Sequence, residues 1–269
     1  MKKLGVIHYN TPGETVEEFL DWVKATGFEY IELQVGDVWP DESVEAGDEP
    51  AKVKQMLDDR GLICDAVASG NDFIVLEEDD IASQVARMKT ICALAAEVGA
   101  DTIRTEGGQP KPSVPVEKYA DAMAECLKRC LEFCEPAGMK LAVDNHGMAS
   151  NDGDLLVKTF EMVGSKLVGT NLDTMNYRWA GHDLETIDRY YEIVAPWVLH
   201  THLKDGVGCR GEYNGKALGN GEINLAKAIE CCVGAGYNGV WCAEWEGKGD
   251  KGVGYAQCLE WMKVNCPDA

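Results

Sequence analysis

Eight times along this chain a short apolar run gives way to an amphipathic segment, and that alternation constrains the fold more than any other feature. The apolar runs read as strands at residues 4–9, 29–33, 62–68, 101–105, 139–145, 167–172, 197–203 and 239–244. Helical segments follow at 15–26 and 50–60, then from an N-cap at Asp79 and Asp80 to about 98, then at 115–136, 154–163, 184–194, 223–235 and 253–264. In the first helix Val16, Phe19, Leu20 and Val23 recur on one side, and Gly27 stops it. Strict alternation calls for parallel strands joined by right-handed crossovers. Eight such units in 269 residues predict one (β/α)8 TIM barrel domain over residues 1–269. A doubly wound open sheet is the alternative. It usually carries a glycine-rich nucleotide turn after its first strand, and Tyr9-Asn10-Thr11-Pro12-Gly13 is not one.

Barrels of this kind keep their chemistry at the carboxyl ends of the strands, and polar residues concentrate there. The seventh run, V-L-H-T-H-L-K-D from Val198 to Asp205, is the most unusual. Alternate side chains of a strand share a face, so His200, His202 and Lys204 point one way. Such a row is costly to bury without partners. His8 ends the first strand and Glu32 lies near the end of the second. The fourth carries Arg104 and Glu106, and Glu244-Trp245-Glu246 ends the eighth. A single acid in such a place is commonly just the cap of the next helix. The set is different, because four consecutive strands end in Asp144, Asp173, His202 and Glu244. Three carboxylates and an imidazole form a mainly hard-oxygen donor set, suited to Mn2+, Mg2+, Co2+ or Zn2+. Left unneutralised, carboxylates so close would repel until one took up a proton.

Five motifs now appear in order: D-N-H-G at 144–147, L-D-T-M-N at 172–176, H-T-H-L-K-D at 200–205, L-G-N-G-E-I-N at 218–224 and A-E-W at 243–245. Together they resemble the xylose-isomerase-like TIM barrels of the sugar phosphate isomerase/epimerase superfamily. The resemblance spans the chain and is strongest from Leu141 to Glu246. It implies one divalent metal ion, Mn2+ favoured, held by Asp144, Asp173, His202 and Glu244. Asp144 stands where the family usually has Glu, one methylene longer. It also implies a sugar or keto-sugar substrate, isomerised or epimerised through a metal-stabilised enediolate.

For proton transfer the candidates are His146, which shares the face of Asp144, and Glu244, with Lys204 as a group that binds a substrate oxygen, neutralises an anion or pairs with Asp173 or Glu244. His200 reads as support below the chemistry. His8, Glu32, Arg104 and Glu106 are candidate substrate contacts. So are Arg178, Trp179 and His182, in a segment whose aromatic faces suit sugar rings or the packing of the loop itself. The glycine-rich stretch 206–221 is long enough for a lid, but Arg210 and Lys216 are its only cations, which favours an unphosphorylated substrate.

Rival readings are a lyase of the inosose-dehydratase or C-glycoside-deglycosidase type, the latter with a partner subunit, an AP endonuclease, and a non-catalytic sugar-binding barrel. With 46 acidic and 25 basic residues the net charge is −21, which argues against nucleic acid and anionic membrane as partners. No leader-like or membrane-spanning apolar stretch is evident, so a cytoplasmic protein is expected, as a dimer or tetramer if oligomeric. The 11 cysteines include no C-x-x-C pair, and Cys126, Cys130 and Cys134 recur along one helix face as small buried hydrophobes.

Overall fold

The structure is a computed structural model describing residues 2–268. Its elements in order are β1 (Leu4–Ile7), α1 (Val16–Thr26), β2 (Tyr30–Gln34), α2 (Val35–Val38), α3 (Glu49–Arg60), β3 (Ile63–Ala68), α4 (Glu78–Val98), β4 (Thr102–Glu106) and α5 (Tyr119–Ala137). There follow β5 (Lys140–Asp144), α6 (Gly153–Val163), β6 (Val168–Asp173), α7 (Asn176–Ala180), α8 (Leu184–Val194), β7 (Val198–Leu203), β8 (Asp205–Val207), β9 (Asn214–Lys216), α9 (Leu225–Gly234), β10 (Trp241–Ala243) and α10 (Lys251–Asn265). Eight strands close into a parallel barrel in the order β1-β10-β7-β6-β5-β4-β3-β2, as the alternation predicts. The antiparallel pair β8–β9 stands outside it.

Local chemistry explains where the helices begin and end. The Thr15 side chain accepts the Glu18 N–H at the start of α1, Glu17 and Glu18 sit in its positive first turn, and Gly27 ends it at φ 100°. Its apolar side, Phe19, Leu20 and Val23, is fully buried against the barrel, each side chain worth about 1.5–3 kcal/mol of transfer free energy. Asp79 and Asp80 are not the cap of α4. The cap position belongs to Glu77, and the two aspartates lie in the first turn, where charge still favours them.

Two layers result. Between strands and helices lies the large apolar core, which includes Cys126, Cys130 and Cys134, all fully buried, as expected for small hydrophobes. A second, small apolar cluster joins Ile7 of β1 to Val240 and Cys242 at β10, with Tyr30 against it. The register between β6 and β7 shifts at Thr170/Asn171, which sets Asn171 opposite His200 and Asp173 opposite His202. Gly169 lies beside this shift, where an added Cβ would run into the carbonyl oxygen of Trp197.

The glycine-rich stretch 206–221, long enough for a lid, is folded. Asp205 accepts the N–H groups of Gly206, Gly219, Gly221 and Ile223, gathering both ends of the 206–221 segment onto one carboxylate. The β8–β9 hairpin fills the span between, and Arg178 ties it down through Glu222.

Candidate metal centre and active-site cavity

β7 supplies the axis of the site. His202 places Nε2 2.6 Å from Glu32 Oε2 and Nδ1 2.9 Å from Glu244 Oε2. His200, one layer lower, places Nε2 2.9 Å from the same Glu32 oxygen and Nδ1 3.2 Å from Asp65. Arg104 on β4 donates through Nε to Glu32 (2.7 Å), and through Nη1 to Glu106 (2.8 Å) and Asp144 (2.9 Å). Burial alone would push the Glu32 carboxyl upward, but His202, Arg104 and His200 outweigh it and hold it well below the usual carboxylate range. Burial likewise opposes charge on His202, and Glu32 and Glu244 overcome it, so its pKa is raised well above the ordinary imidazole value.

The carboxylates stand around this axis. Asp144 accepts from Arg104 through Oδ2 and from Asn171 through Oδ1, the latter at 2.9 Å. Asp173 uses Oδ1 for the N–H groups of Met175 and Asn176, both at 2.8 Å. Its Oδ2 lies 2.9 Å from Lys204 Nζ, which is also 3.0 Å from Glu244 Oε1 and 3.6 Å from Glu246. Burial, then repulsion from Glu244 and Asp144, pushes the Asp173 carboxyl up to about 7 despite Lys204. Glu244 moves the other way: Lys204 and His202 outweigh burial and lower it.

Ligand atoms of Asp144, Asp173 and His202 lie within 4.8 Å of one another, and Glu244 joins the group through its contact with His202 Nδ1. Two atoms of the group are buried without a hydrogen bond, Asp173 Oδ2 and His202 Nδ1. Each is 2.9 Å from an opposite charge but out of line for a hydrogen bond. Glu32, in accepting a hydrogen bond from the Nε2–H of His202, leaves Nδ1 as the nitrogen whose lone pair can face a metal, the usual way a second carboxylate orients a metal-binding imidazole. The donor set of Asp144, Asp173 and His202 is one that could hold a divalent ion.

A cavity of about 270 Å³ opens beside it, lined by Ile7, Tyr9, Gln34, Arg104, Asp144, His146, Glu244 and Glu246. His146 is 51% exposed at its lip, with Nδ1 3.7 Å from Asp144 Oδ2. Sequence reasoning did not single out Ile7, Tyr9, Gln34 or Glu246 as site residues. The signal was present for two of them, because Gln34 and Glu246 follow Glu32 and Glu244 at the two-residue period of a strand.

Several expected contacts lie elsewhere. His8 stacks on Phe19 with ring centroids 3.9 Å apart and binds Asp37 at 2.9 Å. Glu32 is fully buried and Glu106 pairs with Arg104; neither lines the cavity. Residues 176–180 form α7, with Tyr177 buried against Tyr190 and Tyr191. Arg178 is spent on Glu222, Trp179 lies against Arg210, and His182 binds the Asn151 carbonyl at 2.7 Å. None of the three lines the cavity.

A family model described as "Xylose isomerase-like TIM barrel" matches residues 20–264. No curated protein sequence matches the chain. Among solved structures, a xylose isomerase domain protein from Planctomyces limnophilus is 20% identical, with a TM-score of 0.75 over 97% of this chain and 95% of that one. A protein named IOLI, solved with a bound zinc atom, is 16% identical with a TM-score of 0.81 over 97% of each chain. The D-psicose 3-epimerase of Clostridium cellulolyticum H10, solved with D-tagatose, is 14% identical with a TM-score of 0.79 over 98% of this chain and 99% of that one. At these identities the structural likeness speaks to the fold.

Proposed function

Because the chain belongs to the xylose isomerase-like TIM barrel family, we propose that it is a divalent-metal-dependent isomerase or epimerase of a small, unphosphorylated sugar or keto-sugar. One observation carries this reading: Asp173 Oδ2 and His202 Nδ1, buried and without hydrogen bonds, stand together with Asp144, which lines the cavity. A bound divalent ion would polarise adjacent carbonyl and hydroxyl oxygens of the substrate and so acidify the carbon-bound proton between them.

The remaining work falls to the chain's own residues. His146 is the accessible base at the lip, with its Nδ1 3.7 Å from Asp144 Oδ2. Glu244 faces it from β10, which is three strands from β5 around the ring, and can exchange a proton on the other side of the substrate. Arg104 and Lys204 hold Asp144, Glu244 and Asp173 in place through contacts of 2.9–3.0 Å. The cavity lining carries Asp144, Glu244 and Glu246 against the single cation Arg104. That balance favours neutral hydroxyls and repels a dianionic phosphate.

Metal analysis of protein purified without chelator should find about one divalent ion per chain, and His202→Ala should lose it. With a panel of keto-sugars in deuterated water, the wild type should exchange a carbon-bound proton. His146→Asn should slow that exchange by about 10²–10⁴-fold. A metal-free wild type that gains no stability from Mn2+ would refute the reading.

A further inference from the structure

Like Arg104 at Asp144, Lys204 is a buried cation among the candidate metal ligands, and it alone touches two of them. Its N–H donates to Thr174 Oγ1 at 2.9 Å, and its carbonyl accepts from that hydroxyl at 2.6 Å. Thr174 directly follows Asp173, so the backbone of Lys204 is clamped to the strand end that carries a candidate ligand. The side chain is 2% exposed. Its ammonium stands 2.9 Å from Asp173 Oδ2 and 3.0 Å from Glu244 Oε1, two carboxylates of the same donor set. Only the Glu244 contact has hydrogen-bond geometry.

Two consequences follow from charge alone. Asp173 and Glu244 are buried side by side, and without an adjacent cation they would repel strongly. A divalent ion seated on the same carboxylates would in turn be repelled by the ammonium at close range in a poorly screened interior. The same residue that holds the ligands together before loading must therefore weaken the loaded state.

Resting on the metal-dependent reading above, we propose that Lys204 is a positioning residue that acts as the resident counter-ion of the metal-free centre and lowers its affinity for a divalent cation. It keeps the centre folded and exchangeable instead of making the fold depend on the metal.

The test uses the full chain with Lys204→Met and, to keep a polar group of similar reach, Lys204→Gln. Unfolding temperature is measured in EDTA and in saturating Mn2+, and Mn2+ binding by calorimetry. Both variants should unfold at lower temperature than the wild type in EDTA, and the rise on adding Mn2+ should be larger than in the wild type. Their Kd for Mn2+ should fall at least about tenfold, as expected for one buried like charge removed near a dication. Equal or weaker Mn2+ binding in the variants overturns the proposal, as does a pair of variants that Mn2+ cannot restore to the folded state. If the wild type itself shows no response to Mn2+, the metal reading fails and this proposal with it. A responsive wild type with weaker-binding variants removes only the role given to Lys204.

Discussion

Arg104→Met should be among the most damaging single substitutions in the barrel. The guanidinium is buried and makes three charge-assisted hydrogen bonds of 2.7, 2.8 and 2.9 Å. The three acceptors do not count equally. Glu106 is 18% exposed, so water can replace its bond, whereas Glu32 at 0% and Asp144 at 2% would be left buried and charged. Removing one partner of a buried ion pair costs about 3–5 kcal/mol. Glu32 keeps its two histidines and Asp144 keeps Asn171, which argues for the lower part of that range. For a chain of this size each kcal/mol lowers Tm by about 2–4 °C, so a drop of roughly 10 °C is expected. Urea unfolding followed by circular dichroism, in EDTA so that metal linkage does not enter, measures the loss. The double mutant with Asp144→Asn tests the cause: once Arg104 is gone, neutralising Asp144 should cost less than it does in the wild type, because the two share one interaction. A loss below about 1 kcal/mol, or additive effects of the two substitutions, would refute the reasoning.

Metal loading should release protons. Asp173 is pushed up to about 7 in the metal-free centre and His202 is held protonated by Glu32 and Glu244, and both must be deprotonated to bind a metal. Mn2+ affinity should therefore be higher at pH about 8 than at pH about 6, which calorimetry in buffers of different ionisation enthalpy will show. The metal-free protein carries the opposite dependence from Asp173. Its folded pKa lies above its unfolded one, so the stability from this group is full below the ordinary carboxylate value and lost as pH rises through about 7. Gly169→Ala should cost about 1–3 kcal/mol, since its Cβ meets the Trp197 carbonyl at the β6–β7 contact. A thermal melt unchanged from the wild type would show that the strand pair can yield there.

Much of this protein is legible in its residues alone. The alternation of apolar runs and amphipathic helices determines the barrel, because strand and helix periods are local properties and eight parallel crossovers in 269 residues leave few ways to close. The two-residue period of V-L-H-T-H-L-K-D likewise determines that His200, His202 and Lys204 share the inward face, where the structure puts them.

What those groups meet was decided only by the tertiary structure. Asp144, Asp173 and His202 come together because β5, β6 and β7 are neighbours and the shift at Thr170/Asn171 sets Asp173 level with His202. Glu32 reaches His202 from across the ring, 170 residues away in sequence, and no local pattern encodes that distance. Lys204 could have faced a substrate or a carboxylate; barrel closure set Asp173 and Glu244 around it. His8 and the 176–182 segment have residue types suited to a sugar site, and the structure packs them against Phe19, Tyr190 and Asn151. Period and composition settle which face a side chain takes. Its partner depends on which strands the closed ring makes adjacent and on how deep the carboxylates lie when they meet.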